Sequence, residues 1–408
     1  MNLKTSTMDL LAVEGGRPTR EVPFSPWPSF GPSEIAATAQ VLRSGKVNYW
    51  TGEQGRLFEQ EFAAFAGCKY GVAVASGTVA LELALHALGI GDGDEVIIPC
   101  RTFIASASCA VLRGAVPIVA DVDAQSQNLT AETIRPLITS RTKAIIAVHL
   151  AGWPCDMDSI LQLAREYDLR VVEDCAQAHG ATYKGRPVGS FGDAAAFSFC
   201  QDKIMTTGGE GGMLTTNTDS VWERAWSYRD HGTSYTVVSN GQHSNGFRWI
   251  HESFGTNWRL SEMQSAIGRV QLRALPHWTE TRQRNARLLT ERFSDYSALR
   301  VTRPPNEIGH SYYKYYVFLR PGRLREGWNR DRILNAINAE GIPCYSGICG
   351  EIYLEKAFPE KFRPAKRMPV APELAETSLM FLVHPTLSER DMQDIGEGVE
   401  KVLAAATA

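Results

Sequence analysis

The sequence predicts an α/β fold in which helices pack on a mostly parallel β-sheet, followed by a smaller α+β domain. Between about residues 70 and 217, short β-branched runs alternate with longer segments of helical periodicity, which is the pattern of successive βαβ units. Hydrophobic residues make up 44% and charged residues 21% of the 408 residues, as in ordinary globular proteins. A chain of this length suits two or three domains in one compact body.

The strands and helices are expected in a regular order along the chain. Short apolar runs bounded by turn residues predict buried strands, at residues 72–75, 95–99, 116–122, 144–148, 171–173, 194–199 and 212–216, with a further strand at 312–319. Apolar residues spaced three and four apart predict helices, at residues 79–88, 104–112, 156–167, 260–275, 330–340 and 391–403. A glycine-rich bend at 208–212 separates the sixth strand from the seventh.

Three segments follow from this order. Residues 1–50 are expected to form an N-terminal segment that packs on the small domain and the functional site. Residues 51–275 form the large domain, and residues 276–408 form the small C-terminal domain. A polar stretch at 234–255, rich in Ser, Asn and Gly, is longer than a usual connection and is expected to be a surface loop or lid.

Composition argues against several classes of protein. Lys plus Arg at 42 and Asp plus Glu at 45 give a formal net charge of −3, which offers no electrostatic footprint for nucleic acid. No stretch reaches the roughly 18 consecutive apolar residues of a membrane span, and the first residues lack the apolar run of a secretion signal. We therefore expect a cytoplasmic protein. Its eight cysteines form no CxxC pair and its nine histidines no HExxH motif, so no metal site is expected.

The first candidate site is a phosphate cradle after the first predicted strand. Ser76-Gly77-Thr78 stands between that strand and its helix, where free backbone N–H groups and the positive helix end can hold a phosphate. Ser198, near the end of the sixth strand, could offer a hydroxyl to the same phosphate. The alternative is a simple helix N-cap at Ser76.

Asp174 and Gln177 follow the fifth predicted strand, at the edge of an open α/β sheet where ligands bind. A buried carboxylate there needs a cationic partner. A protonated pyridine nitrogen would supply one, and the carboxylate would keep that nitrogen protonated so that the ring can withdraw electrons. Gln177 could reach an oxygen on the same ring. Alternatively, Asp174 is a capping residue and Gln177 a polar loop residue.

Lys203 follows the sixth strand and precedes the glycine-rich bend. A lysine in this position can lose solvation and shift toward the neutral amine that attacks aldehydes; the alternative is a solvated surface lysine. Phe103, which opens a helix after the second strand, could stack on a planar ring or belong to the core. A phosphate cradle, an aromatic plate, an acid–amide pair and a lysine together supply every group that pyridoxal phosphate requires.

These segments resemble the nucleotide-sugar aminotransferases of the DegT/StrS group. The resemblance rests on motifs that span most of the chain, at residues 76–81, 173–180, 197–199 together with Lys203, 209–212 and 255–262. It implies the aspartate-aminotransferase-like type I fold, with a seven-stranded sheet between helices. It also implies pyridoxal 5′-phosphate as the cofactor, bound by the large domain, and a role in amino-sugar biosynthesis.

The resemblance also implies which residues hold the cofactor ring. Lys203 matches the lysine that forms a Schiff base with the cofactor and carries the proton during transamination. Asp174 is similar in place to the acid that pairs with the ring nitrogen, and Gln177 to the amide that contacts the ring oxygen. Phe103 matches the stacking aromatic.

The phosphate holders are implied in the same way. Gly77, Thr78 and Ser198 match residues that bind the phosphate within one subunit. Asn257 resembles the residue that reaches this phosphate from the neighbouring subunit, which implies a homodimer with shared active sites. From its sequence context alone, Asn257 would be a helix N-cap candidate.

For the substrates, the resemblance implies glutamate as amino donor and a keto-sugar, attached to a nucleoside diphosphate, as acceptor. A keto-cyclitol or an aminoshikimate-type carbocycle is an alternative acceptor. A noncatalytic protein that merely holds the cofactor is an alternative of another class, and Lys203 argues against it. Cys200 stands where relatives often carry His or Asn, so the substrate contact at that point is open. Residues 48–52, 234–255 and 345–347 are candidate sugar-facing loops.

Overall fold

The computed structural model describes residues 10–239 and 250–407 of the protein. Its strands, in chain order, are β1 (Tyr70–Val74), β2 (Glu95–Pro99), β3 (Val116–Ala120), β4 (Thr142–Val148), β5 (Arg170–Asp174), β6 (Thr182–Tyr183), β7 (Arg186–Pro187), β8 (Ala194–Ser198), β9 (Gly212–Thr216), β10 (Leu299–Val301), β11 (Ile308–Gly309), β12 (Tyr315–Leu319), β13 (Cys344–Tyr345) and β14 (Ser378–Phe381). Its helices are α1 (Pro32–Ser44), α2 (Gln54–Phe65), α3 (Gly77–Ala87), α4 (Ala105–Leu112), α5 (Ala131–Ile134), α6 (Met157–Glu166), α7 (Asp219–Arg229), α8 (Tyr235–Ser239), α9 (Glu262–Phe293), α10 (Arg330–Ala339), α11 (Ala371–Thr377) and α12 (Glu389–Ala406).

A seven-stranded sheet forms the large part of the molecule, in the order β1-β9-β8-β5-β4-β2-β3. Strand β9 runs antiparallel to both of its neighbours, whereas the pairs from β8 to β3 are parallel. The α/β fold with a mostly parallel seven-stranded sheet is therefore confirmed, and all seven strands predicted for it are present. The sequence predicts them because fully buried parallel strands are near-continuous apolar runs.

Both faces of this sheet are buried under helices. Neighbouring residues of one strand point to opposite faces, so Ile98 and Ile146 pack into the core with α3 and α4. Ile97 and Ile145 pack on the other face with Ile160 of α6. A cavity lies at the carboxyl ends of the strands, at one edge of this sheet.

A second, antiparallel sheet has the order β10-β12-β14-β13, and helices α10 and α12 pack on it through a core that includes Val317, Ile337 and Val399. The strand expected at 312–319 begins at Tyr315, because the backbone of Tyr312 is left-handed, with φ of 46°. Leu11 joins the same core, and Arg20 forms an ion pair of 2.8 Å with Asp391.

One helix links the two sheets. The helix expected at 260–275 is the first half of α9, which has 32 residues and runs through Pro276. Proline lacks a backbone N–H and usually ends or kinks a helix, but α9 continues beyond it. The sequence predicts a division at 275–276 because the helical segment 260–275 is expected to start the link to a second domain. That division falls inside α9, and the proposed domain boundaries stay a prediction. Of the expected loop at 234–255, residues 235–239 form α8, and 240–249 lie outside the described residues.

Among the helices of the described segments, none combines the length and apolarity needed to cross a bilayer.

Candidate active site

A cavity of about 1230 Å³ opens where β1, β2, β5 and β8 end. Seven of the eight residues expected at the cofactor site line it: Gly77, Thr78, Phe103, Asp174, Gln177, Ser198 and Lys203. They come together because the carboxyl ends of parallel strands share one edge of the sheet. The eighth, Asn257, is exposed and does not line the cavity.

The phosphate cradle lies between β1 and α3. Ser76 caps α3, because its Oγ accepts a hydrogen bond of 3.3 Å from the Val79 N–H. Gly77 and Thr78 are the first helical residues, whose N–H groups have no partner within the helix. A Cβ on Gly77 would lie 2.5 Å from Ser198 Cβ, so glycine alone fits between α3 and β8. The capping role of Ser76 and a bound phosphate are compatible, since they use different N–H groups.

Asp174 ends β5 with a buried carboxylate. Its Oδ1 accepts a hydrogen bond of 3.1 Å from Ala176 N–H, and its Oδ2 accepts one of 3.1 Å from Ser106 Oγ. Burial raises the pKa of Asp174, and these hydrogen bonds offset only part of that effect. In the described part of the chain both donors are neutral, so the acid fits a ligand that brings its own cation, such as a pyridinium nitrogen.

Gln177 is held in one orientation. Its Oε1 accepts a hydrogen bond of 2.8 Å from the Ala151 N–H, which leaves the amide NH₂ as the free donor toward the cavity. Ala151 has a left-handed backbone, with φ of 56°, a conformation that residues other than glycine rarely adopt. The buried amide is therefore oriented so that it can donate a hydrogen bond to a ligand in the cavity.

Phe103 stands at the mouth of the cavity, before the first turn of α4. Its side chain is 62% exposed, which is unusual for a large apolar residue beside a buried core. The exposed ring lines the same cavity as Asp174 and Lys203. It can therefore stack on a planar ring held between them.

Lys203 is half-buried, so its amine is less desolvated than its place after a buried strand predicts. Its Nζ lies 5.0 Å from the centroid of the Tyr313 ring, where the ring face attracts the ammonium. The backbone is fixed on both sides, because Lys203 N–H donates to Cys200 O at 3.0 Å and Trp27 Nε1 donates to Lys203 O at 2.8 Å. Cys200 also lines the cavity.

Several residues of the site are not predicted from the sequence. Ser106 does not line the cavity, but its Oγ donates a hydrogen bond to Asp174 Oδ2 and so helps to position the acid. Arg20 to Trp27 line the cavity and belong to the N-terminal segment that is expected to pack on the site. Other lining residues come from distant segments that carry no local signal, among them Tyr313, Lys314, Tyr316 and His384.

Of the candidate sugar-facing loops, the segment 345–347 contributes Tyr345 and Gly347 to the cavity. The segment 48–52 does not line the cavity. Tyr49 is buried there and donates a hydrogen bond of 2.9 Å to Glu59 Oε2, so within this chain its role is packing.

Behind Asp174, the buried side chains of His149, Glu173 and Cys175 place possible metal ligands within 4.8 Å of one another. The Glu173 oxygens accept hydrogen bonds from the backbone N–H groups of Gly189, Phe191 and Gly192 and contact His149 Nε2 at 3.1 Å. Burial raises the pKa of the Cys175 thiol well above its ordinary value, which disfavours the thiolate that metals bind. This cluster therefore reads as structural support for β5.

One edge of this sheet carries a candidate phosphate cradle, a buried acid whose hydrogen-bond donors are neutral, an oriented amide and a lysine. This fold and this set of groups are those of a pyridoxal-phosphate-dependent enzyme of the type I fold. The chain belongs to the DegT/DnrJ/EryC1/StrS aminotransferase family, whose model matches residues 28–400. The resemblance drawn from its motifs is thus confirmed, and with it the aminotransferase activity and the cofactor.

Known relatives cover nearly the whole chain. A solved aminotransferase from Psychrobacter cryohalolentis is 53% identical, superposes with a TM-score of 0.92, and the match covers 94% of this chain and 99% of that one. The UDP-N-acetyl-3-dehydro-alpha-D-glucosamine 3-aminotransferase of Acidithiobacillus ferrooxidans is 38% identical over 88% of this chain and 90% of its own. The L-glutamine:2-deoxy-scyllo-inosose aminotransferase of Streptoalloteichus tenebrarius is 34% identical over 96% and 97%.

Proposed function

We propose that this aminotransferase moves an amino group from glutamate to a keto-sugar attached to a nucleoside diphosphate. The observation that carries the proposal is the single cavity that contains Lys203, Asp174 and the α3 cradle. Its volume of about 1230 Å³ exceeds the roughly 300–1,000 Å³ of ordinary small-molecule sites, which leaves room for a large second ligand beside the cofactor.

In this proposal each residue has one task. The N–H groups of Gly77 and Thr78 and the Ser198 hydroxyl bind the phosphate, and Asp174 holds the ring nitrogen protonated. Pyridoxal phosphate, when bound, supplies the electron sink for the reacting carbon. Lys203 Nζ takes the proton from the α-carbon of the donor. It later delivers a proton to the sugar carbon that carries the new amino group. Phe103 and Gln177 keep the ring in one plane.

Two features support the nucleotide-sugar acceptor, and one relative supports an alternative. The cavity is large, and a relative covering most of the chain is named for a nucleotide-linked keto-sugar. The second candidate acceptor is a keto-cyclitol, since a relative of similar coverage is named for one. The aminoshikimate-type carbocycle remains a third acceptor to test.

A spectroscopic cycle tests the proposed function. We expect the purified protein with pyridoxal phosphate to absorb visible light through the lysine-bound cofactor, glutamate to bleach the band, and the correct acceptor to restore it. The acceptors to screen are nucleotide-linked 3-keto, 4-keto and aldehyde sugars, together with keto-cyclitols. Restoration by a cyclitol alone would overturn the sugar proposal, and a colourless protein that no cofactor changes would overturn the assignment of Lys203. Lys203→Ala is the control, and it should bind the cofactor without turnover.

A cytoplasmic location is part of the proposal. All eight cysteines are free thiols in the structure, as is usual in a reducing compartment. Five of these cysteines, Cys100, Cys109, Cys155, Cys175 and Cys344, are buried, where oxidation would require partial unfolding. We expect thiol titration of the freshly purified, denatured protein to yield eight reactive groups without reductant, and a markedly lower number would contradict this location.

A further inference from the structure

The cavity contains a second lysine, Lys314, to which the proposed chemistry gives no task. Lys314 follows Tyr313, and its Nζ lies 4.6 Å from the same ring centroid that Lys203 approaches from 5.0 Å. Its side chain is only 17% exposed, and its ion-pair contact among the described residues is with Asp202 Oδ2, at the long distance of 3.9 Å. That same oxygen already accepts a hydrogen bond from the Tyr313 hydroxyl.

The other cations that line the cavity are already committed. Arg20 is bound by two carboxylates, Asp391 at 2.8 Å and Asp394 at 2.5 Å. Lys203 is assigned to the cofactor. Among the described residues that line the cavity, Lys314 is therefore the ammonium group left to meet a charged ligand.

Backbone hydrogen bonds hold the segment before Lys314 in place beside the cavity. Ser311 N–H donates to Gly152 O at 3.0 Å, and Tyr313 N–H donates to Ala151 O at 2.8 Å. Between these two hydrogen bonds, Tyr312 has a left-handed backbone with φ of 46°. Strained backbone of this kind persists where the surrounding structure enforces it, and it concentrates at binding sites.

A second buried cation reinforces the positive field around Lys314. Arg282, on α9, is 1% exposed, and its Nη1 donates to Tyr313 O at 3.2 Å. Its Nε and Nη2 are buried without a partner in the described part of the chain. Asp202 is the one carboxylate that forms an ion pair with Lys314 among the described residues, and its side chain is 56% exposed.

We propose that Lys314 is a carboxylate-binding residue of the substrate pocket, and that it binds a carboxylate of the amino-acid donor. The proposal rests on the proposed aminotransferase function and deepens it. A carboxylate between Lys314 and the cofactor would place the donor's amino group beside Lys203, on the cavity side where both lysines flank Tyr313. A keto-sugar that itself carries a carboxylate has the same recognition chemistry and is separated by the test below.

The charge of Lys314 should make this binding depend on pH. Burial, together with the positive charges of Arg282 and Lys203, lowers the pKa of Lys314 to about 8, although Asp202 opposes the shift. His384 also faces this group, but burial lowers the pKa of His384 to about 3, so it stays neutral. As the pH rises through about 8, Lys314 loses its proton, and carboxylate affinity should fall.

Binding of glutarate, a dicarboxylate without an amino group to react, isolates this contact. We expect calorimetric titration of the holoenzyme with glutarate to show affinity about 10- to 100-fold weaker in Lys314→Met than in the wild type. Lys314→Arg should retain affinity at pH 9, where the wild type weakens. Lys356→Met removes an exposed lysine outside the cavity and should bind like the wild type. Equal glutarate affinity in Lys314→Met and the wild type would overturn the proposal.

The two half-reactions identify which substrate carries the carboxylate. If the donor does, Lys314→Met should raise the glutamate concentration for half-maximal bleaching by the same factor, with little change in the reaction of the aminated enzyme with a neutral keto-sugar. If bleaching by glutamate is unchanged and only a carboxylated keto-sugar is affected, the donor assignment is wrong and the carboxylate subsite stands. If glutarate affinity falls in Lys314→Met but glutamate does not bleach the wild-type enzyme, the proposed donor fails while Lys314 stands as a carboxylate-binding residue.

Discussion

The Asp174 carboxylate depends on its ligand for electrostatic balance. Its hydrogen bonds come from Ala176 N–H and Ser106 Oγ, and Ser106 Oγ is in turn 3.0 Å from Thr102 Oγ1. These neutral groups orient the acid, and although the charge of Lys203 favours its ionised form, burial outweighs these effects and raises the pKa of Asp174. The acid is therefore costly to ionise in the empty site, and a bound ring cation removes that cost.

This arrangement predicts opposite effects of Asp174→Asn on stability and on cofactor binding. Because the folded-state pKa of Asp174 is raised, ionisation destabilises the cofactor-free fold as the pH increases through that pKa. Asp174→Asn should stabilise the cofactor-free protein by about 1–3 kcal/mol at pH 8, with the difference vanishing in acid, where both side chains are neutral. Urea unfolding at several pH values measures it.

The same variant should bind pyridoxal phosphate at least about 10-fold more weakly, because the ring nitrogen loses its anion. Asp295→Asn, which changes an exposed acid, should alter neither quantity. A cofactor affinity equal to that of the wild type in Asp174→Asn would remove Asp174 from the ring nitrogen.

The sequence predicts that Asp174, Ser198 and Lys203 lie together, because strand ends are visible as the ends of apolar runs and parallel strands share one edge. In the structure these three residues line one cavity, and their roles toward the cofactor stay a prediction. Lys314 is not predicted to join them, because its approach to the cavity depends on how distant segments pack. The half-buried state of Lys203 was likewise not predicted, since solvent access depends on the same packing.

At the scale of elements, the junction of α3 with β8 decides whether the phosphate cradle can form. Gly77 opens α3 against Ser198, the last residue of β8. A side chain at position 77 would have to displace Ser198 or the helix end, since a Cβ there lies 2.5 Å from Ser198 Cβ. The cradle therefore requires the close contact of these two elements.

Gly77→Ala should accordingly weaken cofactor binding by about 10-fold or more, because overpacking costs about 1–3 kcal/mol and shifts the N–H groups. Gly91→Ala is the matched control, since its Cβ would meet Arg113 O at an ordinary 3.5 Å. Fluorescence titration of cofactor-free protein compares the two. Equal cofactor affinity in both variants would show that this junction does not hold the phosphate.

The helices and strands could be predicted where the sequence pattern pointed to one kind of element. All seven strands of the large sheet were predicted within about two residues at each end, because fully buried strands are unbroken apolar runs. The length of α9 was not, because Pro276 is ordinarily a helix-ending signal. In α9 the contacts of both halves with the surrounding structure outweigh the lost hydrogen bond.

In the molecule as a whole, one residue predicted for the cofactor site lies apart from the others. Asn257 is exposed outside the cavity, and nearby Phe254 is 99% exposed. Phe103 is exposed at the mouth. Large exposed apolar side chains close to a site are typical of an interface. We therefore propose that a second copy covers this face and supplies Asn257 to the phosphate.

Mixing two inactive variants tests this arrangement. If Asn257 acts across the interface, subunits of Lys203→Ala and Asn257→Ala should together restore activity, because one of the two sites in each mixed dimer receives both intact residues. Random exchange makes half of the dimers mixed, and half of the sites in those dimers are intact. We therefore expect up to about a quarter of the activity of the same amount of wild-type protein. Subunit exchange demonstrated by mass spectrometry without any recovered activity would contradict a shared site.

The position of the cofactor on the chain tests the proposed site most directly. Borohydride reduction of the coloured holoenzyme fixes the cofactor to the amine that holds it, and peptide mass spectrometry then identifies that amine. We expect one modified peptide, with the added mass on Lys203. Modification of Lys314 in its place, or of no lysine in a protein that still turns over, would contradict the proposed site.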